Sequence, residues 1–155
     1  MNIGLFVDVG NLYYCVGKAF PGRKLDYQKY LDSVAEIGEV TTANAYGTQL
    51  QNEAVTFIAA LRHIGYDPRW KRESGDGRRV SWNVGIACDI LGRLTIYDTV
   101  VIGSGDSNIV DLLHALHEHE MKTIIFASRI AREIKEVPGI EIREITEDLL
   151  EVRKS

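Results

Sequence analysis

Three carboxylates, Asp8, Asp89 and Asp106, are the residues of this 155-residue chain best placed to do chemistry. Asp8 closes a nearly unbroken apolar run, Ile3 to Val7, in the stretch Phe6-Val7-Asp8-Val9-Gly10-Asn11. Asp106 follows a second such run, in Ile102-Gly103-Ser104-Gly105-Asp106-Ser107-Asn108. Asp89 sits inside Val84-Gly85-Ile86-Ala87-Cys88-Asp89-Ile90-Leu91, where an unpaired charge is expensive. If the three meet in one crevice they repel. At about 4 Å and an effective dielectric near 20, each like-charge pair costs roughly 4 kcal/mol. A raised pKa, a basic partner or a hard cation relieves that cost. Mg²⁺ or Mn²⁺ suits an oxygen-rich cluster that keeps several waters. Such an ion positions a phosphate, activates water and stabilises a leaving oxygen. Asn11, Asn83 and Asn108 would add neutral oxygen ligands or hydrogen bonds to water. Taken singly, Asp8 and Asp106 read as helix N-caps and Asp89 as a satisfied core carboxylate. The conjunction is what points to a metal.

The elements that must position these acids alternate in kind. Ile3 to Val7, Val40 to Tyr46, Tyr66 to Lys71, Val100 to Ile102 and Thr123 to Ala127 read as strands, several as the continuous apolar runs of a sheet covered on both faces. Pro68 marks the third as an edge strand. A shorter strand follows Pro138-Gly139, over Ile140 and Ile142 and extending toward Ile145. Between them, Tyr27/Leu31/Val34, Ala54/Phe57/Ile58/Leu61 and Ile109/Leu112/Leu113/Leu116 keep helical spacing, and Trp82 to Leu91 reads as a helix with Ser81 as its N-cap. Residues 146–155 read as a partial helix that frays. The alternation predicts one domain over 1–155, a mostly parallel sheet in a three-layer α/β/α sandwich. In such a sheet the site lies beyond the carboxyl ends of the strands, where strand order reverses. The first strand and the one at Val100 are the most apolar and are expected to be the central pair, which brings Asp8 and Asp106 to one crevice.

With those residues in view, the chain resembles a known family. Phe6-Val7-Asp8-Val9-Gly10-Asn11-Leu12 is similar to the opening motif of NYN domains, PIN-like metal-dependent ribonucleases that include the LabA-like proteins. Gly103-Ser104-Gly105-Asp106-Ser107-Asn108-Ile109 resembles their Ser-Gly-Asp-Ser-Asp-Phe motif, and Asn83 to Leu91 their middle motif, in the same order and spacing. The resemblance implies a PIN-like fold with central strand order 3-2-1-4-5 and a Mg²⁺ or Mn²⁺ site at Asp8, Asp89 and Asp106. It also implies RNA as substrate, single-stranded first of all with DNA a further candidate, and a homodimer, since PIN-like domains often pair. Asn83 and Asn108 stand where many members carry Asp, and Val80 where a basic residue often precedes the middle motif. Each Asp-to-Asn change keeps an oxygen ligand and removes a charge, which lowers metal affinity and argues against a second ion.

The segment Arg69-Trp70-Lys71-Arg72-Glu73-Ser74-Gly75-Asp76-Gly77-Arg78-Arg79 holds five basic and two acidic residues, a local surplus of three positive charges. Lys71, Arg72, Arg78 and Arg79 are therefore expected to follow a phosphate backbone, with Ser104 touching a phosphate. The bland alternative is a solvated loop. Trp70 or Trp82 would stack a base, although packing is the commoner role for either. His114, His117 and His119 lack the i, i+4 pairing of a metalloprotease helix and read as a solvated helix end.

Composition sets the outer bounds. Hydrophobic residues at 45% and charged residues at 26% fit a globular domain and exclude disorder as the main state. The net charge of −4 argues against a protein that coats nucleic acid, though not against a local basic patch. Cys15 and Cys88 make no disulfide framework. No apolar run is long enough to span a membrane, and Asp8 interrupts the apolar N-terminus, so no signal peptide is read and the cytoplasm is the expected location. The reading is thus a metal-dependent ribonuclease, with Asp8, Asp89 and Asp106 on the ion and Asn11 orienting a ligand or the attacking water. Its rivals are a silent RNA-binding regulatory module on the same fold and a flavodoxin-like mononucleotide binder.

Overall fold

The computed structural model describes residues 1–49, 54–73 and 80–153. Its strands are β1 (Asn2–Asp8), β2 (Glu39–Gln49), β3 (Asp67–Arg72), β4 (Thr99–Gly103), β5 (Lys122–Ala127) and β6 (Ile140–Glu144). Its helices are α1 (Val9–Ala19), α2 (Tyr27–Ala35), α3 (Val55–Ile64), α4 (Asn83–Leu91), α5 (Val110–Glu118) and the short α6 (Arg132–Lys135). All strand pairs are parallel, and the sheet order is β3-β2-β1-β4-β5-β6. Helices and sheet form a three-layer α/β sandwich. The expected central order is present, with β6 added at one edge and the Pro68-bearing β3 at the other.

The core follows from the two most apolar strands. Every residue of β4 is buried, as is β1 from Ile3 to Val7. They pair directly, Ile3 opposite Thr99 through Val7 opposite Gly103. Strands covered on both faces have no polar side to alternate, which is why both read as continuous apolar runs. The chain winds from β1 toward β2 and β3 on one side and toward β4, β5 and β6 on the other. Strand order therefore reverses between β1 and β4, and a crevice opens beyond their carboxyl ends.

Among the described residues the tail forms one 3-10 turn, Glu147–Leu149, and the segment through Glu151 is docked. Asp26 N–H donates to the Leu149 carbonyl at 2.9 Å and Glu151 N–H to the Lys24 carbonyl at 2.8 Å, while Leu149 and Leu150 are buried. Two adjacent leucines supply enough apolar area to hold the tail against the α1–α2 connection. Among the described residues, no helix is long and apolar enough to cross a membrane.

Candidate active site

Asp8 is the last residue of β1 and the N-cap of α1. Its carboxylate accepts the Asn11 N–H at 3.1 Å. Asp106 lies three residues beyond β4 and caps a 3-10 turn, Ser107–Ile109, by accepting the Asn108 N–H at 2.9 Å. The N-cap role and the site role coincide, because a cap carboxylate stands by geometry at the carboxyl end of a strand. Burial pushes the Asp8 carboxyl above its ordinary value, and the Asp106 charge adds to the rise. The N–H groups of Asn11 and Gly10 pull the other way without cancelling it.

Two amides bind the acids into one unit. Asn11 Oδ1 accepts the Gly105 N–H at 3.1 Å, tying α1 to the loop that carries Asp106. Asn83, the first residue of α4, donates through Nδ2 to Asp106 Oδ2 at 3.2 Å. The other atom of that amide, Oδ1, is buried and meets no donor among the described residues. Gly105 is required for the loop to close. A Cβ there would stand 3.0 Å from Ile130 Cα and 3.3 Å from the Ser128 carbonyl oxygen. The Ala131 N–H to Gly105 carbonyl bond, 3.0 Å, fastens the same two segments.

Several expected site residues lie elsewhere or act differently. Asp89 does not join Asp8 and Asp106. It accepts the Tyr46 hydroxyl at 2.8 Å, stands 3.8 Å from Arg69 Nη1, and lines a separate polar cavity with Asn44, Arg93 and Tyr97. Helical arithmetic is the reason. Six residues carry it about 9 Å along α4 from Asn83 and about 240° round the axis. Among the described residues, no three His, Cys, Asp or Glu side chains form a group able to hold a metal ion. Ser104 is fully buried, and its hydroxyl accepts the Asp106 N–H at 3.2 Å, so it shapes the loop. Lys71 lays its ammonium 3.9 Å from the centre of the Trp82 ring. Trp82 is itself structural, its indole N–H donating to the Gly47 carbonyl at 2.8 Å. Asn108 and Arg72 are exposed, while Arg78 and Arg79 lie outside the described residues. His114, His117 and His119 are all exposed.

One basic residue went unread. Arg129 follows β5 in the turn clamped onto Gly105, exposed and in the left-handed region at φ 52°. Its charge, like those of Asp8 and Asp106, is felt at the buried Cys15 thiol, which burial chiefly pushes up. No glycine or asparagine marks that turn, so the sequence carries no signal for it. The N-termini of α1 and α4 both open on the crevice and favour negative charge there. The site therefore combines two carboxylates, an unpaired amide oxygen, helix N-termini and a peripheral arginine.

A family model described as NYN domain matches residues 2–139. A crystal structure of a Vibrio parahaemolyticus protein of unknown function superposes with a TM-score of 0.85 at 24% identity, over 96% of this chain and 95% of that one. That likeness bears on the fold alone. No curated protein matches the chain.

Proposed function

The chain belongs to the NYN-domain family of the PIN-like nuclease superfamily, and from that membership we propose that it hydrolyses phosphodiester bonds of single-stranded RNA with Mg²⁺ or Mn²⁺ held between Asp8 and Asp106. The observation that carries the reading is the orphaned Asn83 Oδ1, on the same amide that donates to Asp106. A buried acceptor without a partner costs roughly 1–3 kcal/mol, and a cation removes that cost. Two carboxylates and an amide oxygen form an all-oxygen donor set, which fits a hard divalent ion. The two negative charges offset one such ion and leave none for a second. Bound there, the ion would polarise a phosphate oxygen and lower the pKa of water.

The remaining work falls to groups of the chain. Asn11 holds the two acid-bearing loops together, so the carboxylates keep their spacing when substrate enters. The N-termini of α1 and α4 receive the phosphate charge. Arg129 meets the phosphate from the β5 side, and Arg72, with Arg78 and Arg79, follows the strand beyond it. Attack of water on phosphorus with departure of the 3′-oxygen leaves a 5′-phosphate and a 3′-hydroxyl.

The test is cleavage of end-labelled single-stranded RNA with Mn²⁺, with EDTA, and by Asp8→Asn. The reading expects Mn²⁺-dependent cleavage that the variant loses. RNA retention without cleavage by the wild type would instead favour a binding module. Cleavage undiminished in the variant would mean a contaminating nuclease.

A further inference from the structure

A second cavity, of about 770 Å³, opens against the same loop that carries Asp8 but on the β2–β3 side of β1. Its size is that of a site for one small organic ligand. Four aromatic residues stand in its wall, Tyr13, Tyr27, Phe57 and Trp70, with Gly10 beside Asp8 completing the side nearest the carboxylates. The rings brace one another: Phe57 meets Trp70 edge-on at 6.0 Å and Tyr27 at 5.5 Å. Gly47 lets the indole lie directly on β2, since a Cβ there would fall 2.3 Å from Trp70 Cζ2. Tyr13 is 69% exposed, so its ring has open area beside the cavity.

Two observations say what the cavity takes. Trp70 Nε1–H is buried yet meets no acceptor among the described residues, although a buried indole N–H ordinarily finds one. That N–H has no accessible surface and its side of the indole lies on β2 at Gly47, so Trp70 offers the cavity ring area only. Among the described residues the charged ones at its rim are Lys24 and Glu151, joined through their backbones at 2.8 Å, and their opposite signs make a poor phosphate cradle. Of the parts of a nucleotide strand, the flat, uncharged, aromatic one is the nucleobase. The Asp8 charge reaches the Tyr27 phenol, whose pKa burial chiefly raises, which ties the cavity to the carboxylates.

We propose that this cavity binds a nucleobase of the strand whose phosphate lies at Asp8 and Asp106, and so gives the cut a base preference. The proposal rests on the nuclease reading for its substrate, although the cavity's affinity for a base does not need the metal.

The experiment titrates the metal-free protein with the four 5′-nucleoside monophosphates, with ribose 5-phosphate, and with an RNA tetranucleotide, following the Gly10 and Thr48 amide resonances. Tyr13→Ala, exposed enough to spare the fold, is run alongside. Nucleotides are expected to shift both resonances, while ribose 5-phosphate, whose phosphate can meet the α1 N-terminus, leaves Thr48 unmoved. Tyr13→Ala should weaken them about five- to a hundredfold, the range of one lost base–aromatic contact. Matching shifts from the tetranucleotide assign the site to a strand; shifts from mononucleotides alone overturn that part of the proposal. Equal binding of ribose 5-phosphate, or affinity unchanged in Tyr13→Ala, overturns it altogether. The two readings fail separately. Base-selective binding without Mn²⁺-dependent cleavage sinks only the nuclease, and Asp8-dependent cleavage without base selectivity sinks only this cavity.

Discussion

The amide of Asn83 donates to Asp106 through Nδ2 while its own Oδ1, buried beside that bond, meets no donor among the described residues. On the proposed reading this oxygen joins Asp8 and Asp106 around the ion. Replacing Asn83 by Asp adds a third negative charge at that position. The expected outcome for Asn83→Asp is tighter Mn²⁺ binding, by about tenfold or more in a calorimetric titration, together with a lower Tm in EDTA. Asn83→Ala should lose affinity instead. Equal affinity in all three proteins would remove Asn83 from the ion.

Asp8 supports a prediction about stability and its pH dependence. Its folded pKa is raised, chiefly by burial and further by Asp106. An acid with a raised folded pKa stabilises the fold in its protonated form. That contribution is full below the unfolded carboxylate value and is lost as pH rises through the folded one. Above that folded value the metal-free protein carries an ionised carboxylate it holds at a cost. Asp8→Asn removes that cost and keeps an N-cap of equal quality for α1. The variant should melt higher than the wild type in EDTA at pH 7, by about 2–4 °C for each kcal/mol released. The gain should vanish at pH 3. Added Mn²⁺ should raise the wild-type Tm and leave the variant where it was.

Much of this was legible in the residues, for physical reasons. Buried parallel strands must be continuously apolar, so β1 and β4 could be picked out, and acids at their carboxyl ends had to share the crevice. Pro68 carried the edge position of β3 in its missing N–H. Asn83, expected as a neutral ligand, stands at the first turn of α4 and meets Asp106, whereas Asp89, six residues on and on another side of the helix, meets Tyr46. The sequence could not show the intramolecular contacts of Ser104 and Lys71, a hydroxyl that sets the Asp106 loop and an ammonium over Trp82, because both partners come from folding. Arg129 and the cavity under Tyr13 depend on how loops and rings from four elements meet. No local pattern encodes that.

Arg129 allows function and stability to be moved in opposite directions. A non-glycine residue at φ 52° pays a backbone cost that glycine does not. Arg129→Gly should keep or raise Tm, by up to about 1 kcal/mol in stability, while weakening RNA binding and flattening its salt dependence by about one phosphate contact. Filter binding across a range of salt concentrations, beside thermal melts, reads both. Unchanged affinity and slope would leave Arg129 with no part in holding phosphate.

Asp89 offers the sharpest separation between the site and its surroundings. Its carboxylate receives the hydroxyl of the fully buried Tyr46, which in turn accepts Asn44 Nδ2 at 3.1 Å, and Arg69 approaches from the solvent side. This chain joins β2 to α4 and makes no contact with Asp106. Asp89→Ala strands the Tyr46 hydroxyl without an acceptor, a loss of roughly 1–3 kcal/mol. Tyr46→Phe removes the same bond from the other end, so the double variant should cost less than the two single costs added. Metal affinity and the Mn²⁺ dependence of RNA cleavage should stay at the wild-type level in Asp89→Ala, measured well below its lowered Tm. Asp8→Asn, by contrast, should lose both. If Asp89→Ala abolishes Mn²⁺ binding in protein that is demonstrably folded by its amide spectrum, then the acid on α4 belongs to the ion after all, and the assignment of that role to Asn83 falls with it.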